Sequence, residues 1–297
     1  MEPTEVKKQL LDNLDSGDDL PYFSLTVKKL LELTENPETS LSEIVSSMDS
    51  SIAAKTLKMA NSVYFGGSNF RNIRSLEHAI MVIGFDSLRE LAFNASFVSM
   101  FQKEDDDIKA NIHSCLEHCF QVAIAAKLLA SLFNYEKKAQ CYVAGLLHDI
   151  GKLAIEKYFR SEAQKITTLT ENKQNNAIEA EIKVLGIDHM EIGSIIAEKW
   201  NLPATMVEAI GCHSKPYVAT IDKKFSSIIY LADELCKKTA GVFDFRLLNS
   251  LIDSEIKQFF PHKDKLQDDY LQDQFAAKFT QEVENVSFII GSLLKNN

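Results

Sequence analysis

Apolar residues recur three and four positions apart along most of this chain, the spacing that gathers them on one face of a helix. Leu20-Pro21 opens a first such run, with Leu25, Leu30, Leu31 and Leu33 in helical register, and Asn36-Pro37 stops it. Ser40 with Glu43 has the spacing of a capping box for a short helix ending near Met48. Asp49 can cap the next helix, SSIAAKTLKMANS, and Gly66-Gly67 ends that region. Ser75 starts another helix closed by Gly84, and Asp86 caps a further one reaching Phe101. Helical periodicity returns from Ile108 to about Tyr158, from Asn176 to Lys199 and from Phe225 to Lys238, with a helix opening at Pro203 ahead of His213. Residues 241–297 alternate apolar and charged positions at helical spacing and carry no identifiable chemistry.

Composition agrees with an all-α chain. Only 11 Gly and 6 Pro occur in 297 residues, too few turn-formers for a many-stranded sheet. The run Glu104-Asp105-Asp106-Asp107 is the best boundary, because four adjacent carboxylates repel one another and seek water. It divides the chain into an N-terminal helical lobe (1–107) and a second helical lobe (108–240), followed by a C-terminal helical extension (241–297).

Charge narrows the function classes. The net charge of −10 argues against nucleic acid and against anionic membrane as partners, since both need a basic surface. The two short helices meeting at Met48-Asp49 have the outline of a helix-turn-helix, but the second offers only Lys55 and Lys58. The N-terminus lacks the apolar core of a signal peptide, and no apolar run approaches the ~18 residues of a membrane span. A cytosolic protein is expected. The five cysteines, 115, 119, 141, 212 and 236, lie in helical apolar stretches and read as buried free thiols.

One stretch carries chemistry: Ala144-Gly145-Leu146-Leu147-His148-Asp149-Ile150-Gly151-Lys152. A histidine and an aspartate at the end of a buried helix need partners, because unpaired buried ionisable groups cost several kcal/mol. His118 shares a face with Val122, Ala125 and Leu129 and should point inward. Asp233 interrupts the apolar helix Ser-Ile-Ile-Tyr-Leu-Ala-Asp-Glu-Leu. Each alone reads as a satisfied core polar group. Together the four supply two imidazoles and two carboxylates, a donor set suited to Mn, Fe, Zn, Ni or Mg.

The order His118, His148-Asp149, Asp233 resembles the HD superfamily of metal-dependent phosphohydrolases. More narrowly, the chain resembles the HDOD proteins, the HD-related output domains of bacterial signalling. The resemblance rests on Leu20-Pro21, Met59-Ala60-Asn61-Ser62, Gly145 to Leu153, Gly186-Ile187-Asp188-His189, Trp200-Asn201-Leu202-Pro203 and His213-Ser214-Lys215-Pro216. It covers roughly residues 18–235. It implies an all-α, two-lobe HD-like architecture in which His189 and His213 help bind a second metal ion. Many members of the family have a second histidine where Ser214 stands. His189 also reads as an exposed histidine at a helix start.

Two readings of function stand. In one, the chain is a regulatory HDOD module, with a retained or partly degenerate metal site, that binds a signalling protein or a small phosphorylated or nucleotide ligand. The N-terminal lobe would then offer Asn61, Ser62, Tyr64 and Phe65 as a partner-binding surface, although Asn61-Ser62 also reads as a plain helix terminus. The Gly-Tyr-Pro signature of cyclic-dinucleotide phosphodiesterases is missing after His213. In the other, the chain is a metal-dependent phosphohydrolase in which Asp149 and the other ligands act through the ion and Lys152 neutralises a phosphate oxygen. Nucleotide binding without metal, with Lys152 on a phosphate, is a third and weaker reading.

Overall fold

Alternating helix-starting and helix-stopping residues cut the described chain into a series of shorter helices and two long ones, of 27 and 26 residues. The computed structural model describes residues 40–48, 50–61, 73–101, 106–171, 176–239, 244–252, 256–261 and 268–294, with a few isolated positions besides. Among the described residues there are helices and turns and no strand. Two units are distinguished: Met1–Leu20 with Glu104–Glu284, and Pro21–Lys103 with Asn285–Asn297.

The second of these units contains α1 (Leu41–Ser47), α2 (Ser50–Ala60), α3 (Leu76–Ile83) and α4 (Phe85–Ser99). Ser40 and Glu43 form the reciprocal capping box the sequence encodes. Ser75 caps α3 by accepting from the His78 amide, and Gly84, at φ 81°, ends it. The expectation that Asp86 caps the next helix is corrected. Gly84 itself precedes α4, which begins at Phe85, so Asp86 lies in the first turn. Both α2 and α3 pack on α4, whose Leu88, Ala92, Phe93 and Phe97 are buried. Asn61 ends α2. Its amide donates to the Leu57 and Ile73 carbonyls and its oxygen accepts from the Ile73 amide, at 3.0, 2.7 and 2.8 Å. Ser62, Tyr64, Phe65, Asp49, Gly66-Gly67 and the 20–37 run lie outside the described residues.

The first unit is built on α5 (Asp106–Leu132). Phe120, Val122, Ala123, Ile124, Ala125, Ala126, Leu128 and Leu129 are all buried, so the second half of this helix is covered nearly all round. It overturns the expectation that no apolar run is long enough to span a membrane. Lys109–Leu132 meets that test by length and composition, and about two-thirds of its most apolar window is buried inside the protein, as in a core helix. Asp106 and Asp107, read as linker, are already helical, in keeping with the preference of a helix N-terminus for negative charge. Glu104 and Asp105 lie outside the described residues.

The single periodic run to Tyr158 is three helices: α5, α6 (Lys138–Leu147) and α7 (Ile150–Tyr158). The first break is pinned by Tyr135, which donates to Asp222 at 2.8 Å, and by Lys224, which donates to the Phe133 carbonyl at 3.0 Å. The second break is the His148-Asp149 doublet itself. Next comes α8 (Arg160–Glu171), which the apolar pattern did not mark. Of its residues only Ala163 is buried, and Thr167, Thr168 and Thr170 spend their hydroxyls on carbonyls of the preceding turn. Then follow α9 (Ala177–Leu185), α10 (His189–Lys199), α11 (Ala204–Cys212), α12 (Lys223–Thr239), α13 (Phe245–Leu251) and α14 (Asp269–Leu294).

Two glycines set the spacing of this unit. A Cβ on Gly145 would come within 2.8 Å of the Ala123 Cα, so α6 lies directly against the backbone of α5. A Cβ on Gly151 would sit 2.0 Å from the His189 carbonyl oxygen and 3.0 Å from the Gly193 amide nitrogen, so α7 and α10 touch backbone to backbone. All five cysteines are free, and four are buried. Cys115 departs from expectation: it is half-buried.

Candidate metal centre

The centre begins at the α6–α7 break. His148 closes α6 with helical backbone angles, and Asp149 takes the N-cap position of α7. An aspartate there ordinarily caps the helix with its carboxylate. Asp149 makes no such bond, because its side chain turns inward. Both residues are buried, with 0% and 1% of their surface exposed.

Long-range packing delivers the other side chains. From α5, His118 places Nε2 3.0 Å from Asp233 Oδ1 and 3.8 Å from Asp149 Oδ2. From α12, Asp233 is also 3.4 Å from His148 Nε2. From the start of α10, His189 Nε2 lies 3.5 Å from Asp149 Oδ1, and from the end of α11 His213 Nε2 lies 3.6 Å from the same oxygen. Of the six side chains named from the sequence as metal ligands, the four histidines therefore lie around Asp149, and Asp233 joins them through His118 and His148. His189 stands at a helix start but is buried, so it is not the exposed histidine of the alternative reading. Its turn explains how. Gly186 ends α9 in the left-handed region at φ 75°, Ile187 is buried, and Asp188 caps α10 through the Glu191 amide.

The ring orientations follow from their hydrogen bonds. His148 Nδ1 is 2.8 Å from the Gly145 carbonyl, and His213 Nδ1 is 2.9 Å from the Ile210 carbonyl. A carbonyl can only accept, so each Nδ1 carries a proton and Nε2 is the nitrogen left to face an ion. Those nitrogens face the carboxylates. Burial lowers the basicity of His148, but Asp149 and Asp233 outweigh it and raise its pKa to about 10, so with no ion present a second proton takes the Nε2 position. His148 Nε2 and Asp149 Oδ1 are buried without a hydrogen-bond partner. An orphaned acceptor pair in a dry interior is costly unless an ion or proton fills it. Two overlapping donor sets, His118/His148/Asp233 and His148/Asp149/His213, have their donor atoms within 4.8 Å of one another. On these observations the residues fit a divalent ion, with imidazole nitrogen and carboxylate oxygen as donors.

Lys152 and two residues the sequence reading missed complete the surroundings. Lys152 Nζ is 2.8 Å from Asp149 Oδ2. Lys237, one turn beyond Asp233 on α12, is 2.5 Å from Asp233 Oδ2. Its i,i+4 spacing was visible, but that spacing is common on solvated helix faces. Glu181 on α9 is 3% exposed, and its Oε2 accepts from both the His189 amide and His189 Nδ1, at 2.9 and 2.7 Å. Burial alone would raise the Asp149 carboxyl, yet His148, Lys152 and His189 hold it well below the carboxylate range. Burial likewise opposes ionisation of Asp233, and His148, His118 and Lys237 outweigh it. Burial and the positive charge of His148 push His213 down to about 3. Two ionised carboxylates thus face a neutral His213.

Comparison with known proteins places these features. The family model of the HDOD domain matches residues 20–216. An HDOD domain protein of unknown function from Geobacter sulfurreducens superposes with a TM-score of 0.76 at 23% identity, over 98% of this chain and 99% of that one. A candidate phosphohydrolase from Shewanella amazonensis SB2B gives 0.71 at 19% identity, over 96% and 97%. A candidate signal transduction protein from Marinobacter aquaeolei VT8 gives 0.72 at 18% identity, over 97% of this chain and 66% of that one. At such identities the likeness is one of fold. An uncharacterized protein of Treponema pallidum (strain Nichols) is 24% identical over 242 residues, and the match spans 78% of this chain but only 46% of that protein.

Proposed function

This chain belongs to the HDOD family, and from that premise we propose that it is a signal-transduction module that binds a divalent ion at the His–Asp centre and, through it, a small phosphorylated ligand. The carrying observation is the convergence of His118, His148, Asp149 and Asp233 with His148 Nε2 and Asp149 Oδ1 left unpartnered. Charge supports the choice of ligand. Among the described residues, Asp149 and Asp233 are paired with the lysines Lys152 and Lys237, and Glu181 with His189, so with neutral imidazoles a divalent ion turns the centre cationic. The groups bordering it toward water are His118, Lys152 and Lys237, whose side chains are 22%, 29% and 38% exposed. Those are hydrogen-bond donors and cations suited to phosphate oxygens. When bound, such an ion polarises a phosphoryl oxygen and lowers the pKa of a coordinated water. The site of action in this reading is the cytosol, in keeping with five free cysteines.

Phosphoester hydrolysis is the second reading. It is favoured by the gathering of all six candidate ligands in one cluster, four histidines around Asp149 with Asp233 against two of them. His118, His148, Asp149 and Asp233 would hold the ion, with His189 and His213 able to take part in a second position, and Lys152 would meet a phosphate oxygen. Fold similarity does not decide between the readings.

Elemental analysis of the purified protein with a panel of phosphomonoesters and phosphodiesters tests both. The expected result is a divalent metal retained by the wild type, lost in His148→Ala, and no turnover across the panel. Turnover that disappears with His148→Ala replaces the regulatory reading with the hydrolytic one. No bound metal in any preparation or after addition of Mn, Fe, Zn, Ni or Mg removes both.

A further inference from the structure

Three histidines enter the centre from the buried side, and each has its far nitrogen tied down. His148 and His213 use backbone carbonyls in their own helices, Gly145 and Ile210, three residues back. Both stand at a helix C-terminus, where such carbonyls are left over. His189 cannot do the same. It is the first residue of α10, and a helix start offers spare N–H groups and no spare carbonyl. Its Nδ1 needs an acceptor from elsewhere, and Glu181 on α9 supplies it.

We propose that Glu181 is a positioning residue for the metal centre, fixing His189 as the Nδ1–H tautomer with Nε2 bare and aimed at Asp149 and His213. The geometry is specific. One oxygen, Oε2, takes both the His189 amide and His189 Nδ1, so backbone and ring are held by a single atom. The opposite ring nitrogen lies 3.5 Å from Asp149 Oδ1 and 3.3 Å from His213 Nε2. Two bare imidazole nitrogens at 3.3 Å repel each other unless a cation sits with them. Without the carboxylate, His189 would protonate Nε2 and donate it to His213 or Asp149, which would close the position. A buried glutamate is expensive, and it lies behind the ring, where it cannot reach the ion itself. A carboxylate on the outer nitrogen of a ligating histidine raises its basicity and holds its plane.

This inference rests on the metal-centre reading, and one of the two measurements is independent of it. Nitrogen-15 imidazole spectra of the metal-free protein read the His189 tautomer directly. The wild type and Glu181→Gln, which keeps an oxygen acceptor, are expected to show Nδ1–H. Glu181→Met, similar in length but without an acceptor, is expected to lose it, with His148 and His213 unchanged. The second measurement is Mn2+ titration followed by the electron paramagnetic resonance of the free ion. Wild type and Glu181→Gln should bind a second equivalent. Glu181→Met should bind that equivalent ~10–100-fold more weakly, the usual effect of removing such a partner, and should bind the first, through His118, His148 and Asp233, as before. A general folding defect would weaken both equivalents together, and that result overturns the proposal. So does an unchanged tautomer in Glu181→Met, or a lost tautomer with unchanged second-ion binding. If the wild type binds no Mn2+ while the tautomers behave as expected, the metal reading fails and the lock on the ring stands.

Discussion

At the residue scale the centre is held by charges whose outer oxygens are as carefully placed as the inner ones. Asp233 is 1% exposed and has Lys237 on its outer oxygen. Lys237→Met leaves that oxygen uncompensated. The expected loss is about 1 kcal/mol of stability in urea unfolding, modest because the ammonium keeps part of its hydration. The loss should shrink when Mn2+ is added, since the ion then carries the compensating charge. Glu208 on α11 provides a pH signal away from the centre. Its carboxylate accepts from the amides of Thr220, Ile221 and Asp222 and from the Thr220 hydroxyl, at 2.5 to 3.0 Å. Burial opposes ionisation, but those bonds outweigh it and hold the carboxyl below its ordinary value. A carboxyl lowered by folding stabilises the protein above its unfolded pKa, and that stability is lost as pH falls through the lower folded value. The urea midpoint should therefore decline with acidification below about pH 4.5, and Glu208→Gln should flatten the part of the decline that Glu208 causes. A midpoint curve identical in the two proteins would count against this role.

At the element scale the decisive feature is close approach. Gly151 lets α7 meet α10 backbone to backbone, which brings Asp149 and His189 into one cluster. Gly151→Ala places a methyl against a carbonyl oxygen that cannot move without shifting the start of α10. A loss of about 3 kcal/mol is expected, with weakened binding of Mn2+ at the His189 side. Gly84→Ala meets no neighbour and should cost only the strain of its positive φ, about 1–3 kcal/mol, leaving ion binding intact. Thermal unfolding of the two variants with and without Mn2+ separates these outcomes. The glycines of the Gly145–Lys152 stretch were visible in the sequence, but why they must be glycine was not. Helix periodicity describes one helix at a time, and these contacts lie between helices. The same holds for α8, whose apolar face is a single buried alanine; too little was buried to leave a periodic mark.

At the scale of the molecule, ligand binding and stability are linked. An ion that binds only the folded chain adds about 2.7 kcal/mol at a concentration a hundredfold above its Kd. Mn2+ should raise the melting temperature of the wild type, chelator should reverse the rise, and His148→Ala should show neither. A melting temperature indifferent to all five candidate metals would weigh against the centre as a metal site. The sequence by itself determined the helical class, because the 3.6-residue period, the caps at Ser40 and Ser75 and the scarcity of turn-formers are local properties. It also determined which ionisable residues were out of place: His118, His148, Asp149 and Asp233 sit among apolar neighbours, and the burial of the last three follows from those neighbours. Only the tertiary structure decided that His189 is buried, that Glu181 rather than another glutamate of its helix turns inward, and that Lys237 serves Asp233. Those facts depend on which helix lies against which, and long-range packing leaves no periodic trace in a chain read one residue after another.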